Sequence, residues 1–157
     1  MKTLKTSLFS LLLLTFAFQS QAQEKGTLRA FIDGIYARNL REGGLGIGFD
    51  YFLGSRLSVA PSVSHILVGG NGEHVLVSAD MRYYFMKGRA QMYVMGGLSR
   101  FYETISIKRS RSRRSVNTGL GAVFPLRGRI GFNVQASYSV PIDSFVYQGG
   151  LTYNIRR

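Results

Sequence analysis

The chain has 157 residues, 20 of them basic and 8 acidic, for a formal charge of +12, and it contains no cysteine. The missing cysteines exclude disulfides, thiolate metal sites, a cysteine nucleophile and a lipid-bearing cysteine anchor. The charge favours polyanionic partners of some kind.

An apolar run from Leu8 to Phe18 follows Lys2 and Lys5 and ends in Ser20-Gln21-Ala22. This is the layout of a secretory signal peptide, with cleavage before Gln23. A spanning helix needs about 20 apolar residues, so removal is favoured over an uncleaved anchor. The expected organisation is a signal peptide over 1–22 and one domain over 23–157, a mature chain of 135 residues with 18 basic against 8 acidic side chains. That length suits one core and is too short for two.

Beyond the leader the sequence repeats with period two, and eight segments read as strands. In the first, about 27–37, Leu28, Ala30, Ile32, Gly34 and Tyr36 oppose Arg29, Phe31 and Asp33. The second sets Leu45, Ile47, Phe49, Tyr51 and Leu53 against glycines and Asp50, and the third, about 56–68, sets Leu57, Val59, Pro61, Val63 and Leu67 against serines. Pro61 removes a ladder donor, which predicts a bulge or kink. The fourth, about 74–85, opposes Val75, Val77, Ala79, Met81, Tyr83 and Phe85 to Ser78, Asp80, Arg82 and Tyr84.

The fifth, about 90–102, is ambiguous: Met92, Val94 and Leu98 fit one face, yet Tyr93, Met95 and Phe101 fit the other. The sixth, about 115–125, shows Val116, Thr118, Leu120, Ala122 and Phe124; the seventh, Ile130, Phe132, Val134, Ala136, Tyr138 and Val140; the eighth, Phe145, Tyr147, Leu151, Tyr153 and Ile155. Tight turns are expected at Gly54-Ser55, Lys87-Gly88 and Arg127-Gly128. Gly43-Gly44 and Gly69-Gly70-Asn71-Gly72 also read as turn residues, and the longest loop falls at about 103–114.

Alternation alone does not say which face is outside, because a soluble lipocalin-like barrel binding a hydrophobic ligand alternates in the same way with its apolar face inward. Three features favour a transmembrane barrel. The polar face is rich in Gly, Ser, Asn and Gln, as a narrow lumen requires. The apolar face carries aromatics near both strand ends, where membrane interfaces select them. The short turns fall on one side, where periplasmic connections are expected to be short.

Eight strands enclose a barrel just wide enough to be filled by side chains, which argues against a diffusive pore. Arg29, Asp33, Asp50, Asp80 and Arg82 all fall on the inner face and are expected to form a charge network across the lumen.

The segments YVMGGLSRFY (Tyr93 to Tyr102), NTGLGAVFPLRGRIGFNVQASYS (Asn117 to Ser139) and GGLTYNI (Gly149 to Ile155) carry a family likeness. Over about residues 24–155 the chain resembles the small eight-stranded outer-membrane barrels of the OmpA/OmpX type, closest in style to the outer-membrane β-barrel domain proteins of Bacteroidetes. The resemblance implies an all-β, antiparallel, up-and-down transmembrane barrel in the outer membrane of a Gram-negative cell. It also implies assembly by the barrel assembly machinery and a structural, surface-interaction or adhesion role. Such barrels usually end on an aromatic residue; here Tyr153 and Ile155 are in phase, but Arg156 and Arg157 follow.

Lys108, Arg109, Arg111, Arg113 and Arg114 crowd one short stretch. On the outer side of a membrane they would meet lipopolysaccharide phosphates or an unknown anionic surface partner. The competing reading is a solvated loop tip, with Arg109, Arg111 and Arg113 also alternating as a strand extension would require. A nucleic-acid partner has the charge without the location.

Some eight-stranded barrels modify lipid A, so His65, His74, Ser62, Ser64, Ser78 and Glu73 deserve a test as a hydrolase site. Strand parity puts His65 and Ser64 on opposite faces, and no base, nucleophile and orienting group fall together. No catalytic residue, metal-ligand spacing, phosphate-binding loop or cofactor motif is identified.

Overall fold

The computed structural model describes residues 25–39, 41–67, 73–106, 109–140 and 143–156. The expected signal peptide over 1–22 and the Gly69–Gly72 turn lie outside them. Eight antiparallel strands follow one another around a closed barrel: β1 Leu28–Ala37, β2 Glu42–Phe52, β3 Leu57–Leu67, β4 Glu73–Tyr84, β5 Gln91–Ser106, β6 Arg109–Pro125, β7 Ile130–Ser139 and β8 Ser144–Arg156. β1 closes the circuit on β8 through partners such as Tyr36 and Tyr147.

Register sets the shape. The partners Leu28, Tyr51, Val59, Met81, Gly96, Thr118, Tyr138 and Phe145 lead around the barrel. The amide of Arg38 then donates to the Phe145 carbonyl at 2.9 Å, returning the path ten residues further along β1. With a rise of about 3.3 Å per residue and a strand spacing of about 4.8 Å, that stagger tilts the strands by about 41°.

The apolar face points outward. Ile32, Ile47, Phe49, Val63, Met81, Leu98, Leu120 and Leu151 are all exposed, Leu98 by 68%, whereas Arg29, Asp33, Asp50, Asp80 and Arg82 are each at most 4% exposed. One end of the exterior carries Tyr51, Tyr83, Phe85, Phe124 and Tyr153; the other carries Tyr36, Phe145 and Tyr147. From Leu53 and Ile155 below to Val140 above, this exterior spans about 25 Å along the axis at that tilt. A lipocalin-like barrel, which hides its apolar face, does not have this arrangement.

β5 is settled by burial. Tyr93, Met95 and Phe101 turn inward, and Val94 and Leu98 outward. Both faces of this strand are apolar because the lumen needs bulk there.

Three expectations are corrected. The loop placed at about 103–114 is mostly strand, because β5 runs to Ser106 and β6 starts at Arg109, pairing Glu103 with Arg111 and Phe101 with Arg113. Gly43 and Gly44 belong to β2, opposite Tyr36 and Ile35. A Cβ on Gly44 would lie 2.2 Å from the His65 carbonyl oxygen, so this glycine serves a close strand approach. Pro61 makes no bulge: pairing with β2 lapses between Gly48↔Ser62 and Tyr51↔Val59, and the register on either side is unchanged. The missing donor costs the ladder locally without slipping a strand.

Candidate functional site

The five inward charges are distributed unequally. Asp50 on β2 is the hub: one carboxylate oxygen accepts from the Ser58 hydroxyl at 2.7 Å, and the other from Tyr84 at 2.6 Å and from Arg82 at 3.2 Å. An Arg29 guanidinium nitrogen lies 3.8 Å from the second oxygen. Arg29 also donates to Gln91 at 2.8 Å and Asn154 at 3.1 Å, and Arg82 donates to Gln135 at 3.1 Å.

Asp33 and Asp80 stand apart from the hub. Asn133 donates its amide to both oxygens of Asp33, at 3.4 and 3.2 Å, and Asn117 approaches Asp80 at 3.5 Å. Neither acid makes an ion pair among the described residues. The structure therefore joins Arg29, Asp50 and Arg82 and holds Asp33 and Asp80 on amides.

Aromatic rings pack around the arginines. Phe52, Tyr84 and Tyr93 form a chain with centroids 5.3 and 5.1 Å apart. The Arg29 guanidinium sits 5.3 Å from the Phe52 ring, and that of Arg82 lies 4.9 Å from Phe31 and 5.0 Å from Tyr93. Cation–π contact of this kind offsets part of the desolvation of a buried guanidinium.

The bulk fits because glycines face it. A Cβ on Gly48 would meet the Phe31 ring at 2.4 Å, one on Gly121 the Tyr93 ring at 2.4 Å, and one on Gly97 the Asp80 carboxylate at 2.2 Å. These glycines are sockets for large inward side chains. The alternation of glycine with apolar residues in β2 and β6 was the sequence signal for Gly48 and Gly121.

Towards the other end the lumen lining changes to small hydroxyls. Ser99 and Ser115 both donate to the Asn117 amide oxygen, at 3.1 and 3.3 Å, and Ser115 also bonds Ser139. His74 stacks on Phe101 with centroids 4.8 Å apart, and its Nδ1 has no hydrogen-bond partner among the described residues. Ser64 is buried inside and His65 lies on the outer side. No nucleophile and base are brought together, and no cluster of His, Asp or Glu suited to a metal occurs among the described residues.

The basic stretch is part of a two-stranded ribbon. β5 and β6 continue past the last β6–β7 partners, Asn117 and Ser139, up to Ser106 and Arg109. Arg113 and Arg114 are exposed on β6, the backbones of Arg109 and Arg111 lie in the same strand, and Lys108 is outside the described residues. Arg114 faces outward directly opposite Arg100, also exposed.

This is the fold of the small transmembrane β-barrels. Neither a protein-family model nor a curated protein matches the chain. Among solved structures it is similar to the N-terminal β-barrel domain of Pseudomonas aeruginosa OprF, with 18% identity and a TM-score of 0.66 over 85% of this chain and 100% of that one. It is also similar to the outer membrane protein OprG of the same organism, with 15% identity and a TM-score of 0.66 over 88% and 100%. The attachment invasion locus protein Ail of Yersinia pestis, in complex with the heparin analogue sucrose octasulfate, is similar at 16% identity and a TM-score of 0.56 over 82% and 97%.

Proposed function

We propose that this chain is a non-enzymatic outer-membrane protein: a barrel with a filled lumen and no diffusive pore, with its binding chemistry on the basic β5–β6 ribbon. The observation that carries this reading is the exterior. An apolar band about 25 Å tall between two aromatic rims matches the lipid-facing surface of a bacterial barrel. A surface of that size exposed to water would be an aggregation hazard in a soluble monomer.

The lumen supports a structural role for the interior. Arg29, Asp50, Phe52, Arg82, Tyr84 and Tyr93 occupy one cross-section, each no more than 3% exposed. Single-channel recording in planar bilayers should show no conductance steps; a stable open level would overturn the filled lumen.

The ribbon supports a surface role, with lipopolysaccharide or another polyanion as its partner. Ail, a neighbour in fold, is itself seen with a sulfated polyanion. Replacing Lys108, Arg109, Arg111, Arg113 and Arg114 with Gln should abolish salt-sensitive binding to lipopolysaccharide, since such attraction is screened over about 10 Å at 0.1 M salt. Retained salt-sensitive binding would reject the ribbon as the contact.

Membrane residence is tested by fractionation. Recovery from cells without detergent in the soluble periplasm would sink this reading. Purified barrel incubated with lipid A should leave its mass unchanged, and a mass shift would make it an enzyme.

A further inference from the structure

The exterior contains one arrangement that the barrel does not balance by itself. Arg100 on β5 and Arg114 on β6 are cross-strand partners, and both are exposed. Like charges directly opposite each other on a sheet repel. Among the described residues neither arginine forms an ion pair with a carboxylate.

Their surroundings are apolar. Val77 is the β4 partner of Arg100, and Leu98 and Val116 precede and follow the pair on the same outer face. The two arginines border a shallow depression of about 280 Å³ whose floor includes Val77, Ala79 and Leu98. The ten-residue stagger puts Arg100 and Arg114 at the height of Tyr36, Tyr138 and Phe145, at the upper rim of the apolar band.

We propose that Arg100, Arg114 and the Val77–Ala79–Leu98 depression form a seat for one membrane lipid with a net-negative phosphate head group, its acyl chain lying down the outer wall. Two guanidinium groups converging on one phosphate replace the repulsion between them with charge-assisted hydrogen bonds. The apolar floor below holds the chain, which a water-soluble anion lacks. This seat rests on the outer-membrane reading; it shares Arg114 with the ribbon contact and differs from it in using the outward face of the wall and Arg100.

Native mass spectrometry of the full-length barrel in neutral detergent tests it, with phosphatidylglycerol and phosphatidylcholine added in turn. The wild type should retain one phosphatidylglycerol, about tenfold in preference to phosphatidylcholine, and R100Q/R114Q should lose that preference. The ribbon variant R109Q/R111Q/R113Q should keep it, and circular dichroism melts of both variants should match wild type. Equal retention by wild type and R100Q/R114Q overturns the seat. Displacement of the lipid by millimolar inorganic phosphate also overturns it, since a bare anion site needs no chain. A barrel that stays monomeric and folded without detergent would overturn the membrane reading instead, and fractionation reads that outcome separately.

Discussion

Two pairs of arginines in this molecule live under opposite conditions. Arg29 and Arg82 are sealed in the lumen and share Asp50, with Tyr84 and Ser58 completing the carboxylate and rings covering both guanidinium groups. Arg100 and Arg114 lie side by side on the outer wall, and among the described residues neither pairs with an acid. Inside, every charge needs a resident partner because water cannot supply one. Outside, charges can be left open for a partner that arrives, and their cost is borne only by two strands at the rim. Partnered and unpartnered charge are thus separated by the thickness of a single sheet.

That contrast can be broken most severely at Asp50. Asp50→Ala strands two buried guanidinium groups and the Tyr84 hydroxyl, and should cost about 3–5 kcal/mol of barrel stability. Urea unfolding in lipid vesicles measures it, and a loss below about 1 kcal/mol would show that the hub is dispensable.

A smaller effect is expected at the sockets. Gly121→Val drives a side chain into the Tyr93 ring, whose hydroxyl donates to Asn133 and Gln135. Overpacking of this sort costs about 1–3 kcal/mol, and the same unfolding experiment should register it. Gly96 makes the control, since a Cβ there meets its nearest atom only at 3.9 Å. Equal losses at Gly96 and Gly121 would refute the socket account.

Asp80→Asn should cost less again, about 1 kcal/mol, because its one side-chain hydrogen bond among the described residues is a long contact to Asn117. If this variant proved as damaging as Asp50→Ala, the lumen would have two hubs. Last in size, R100Q/R114Q should leave the melting temperature within about 2 °C of wild type in neutral detergent, as expected where no internal partner is lost. A large drop would mean that the outer pair is structural.

The sequence made much of this contrast readable and hid the rest for definite reasons. Strict alternation in β7 and β8 named both faces, and it put Arg29, Asp33, Asp50, Asp80 and Arg82 on the same side. It could not rank them, since the hub depends on which residues of β2, β3 and β4 meet at one level, and that follows from the stagger. β5 was ambiguous because Tyr93, Met95 and Phe101 are as apolar as the residues on its other face; the socket that Gly121 leaves beside Tyr93, on the neighbouring strand, explains how the largest of them is accepted. The stretch around 103–114 looked like a loop because serine and arginine carry weak strand preference, and its pairing to Phe101, Tyr102 and Glu103 is what makes it a strand.

The ribbon has one further consequence. A closed barrel leaves no strand edge free, yet among the described residues β7 accompanies β6 only from Asn117 onwards, with one further bond from the Val140 amide to the Val116 carbonyl. Among those residues the backbone of β6 before Val116 therefore has no strand partner on one side. Bare edges invite pairing between molecules, and closely spaced cations discourage it. Its serines and arginines thus equip the ribbon to stay single: wherever copies crowd together, each repels the next before their edges can zip together.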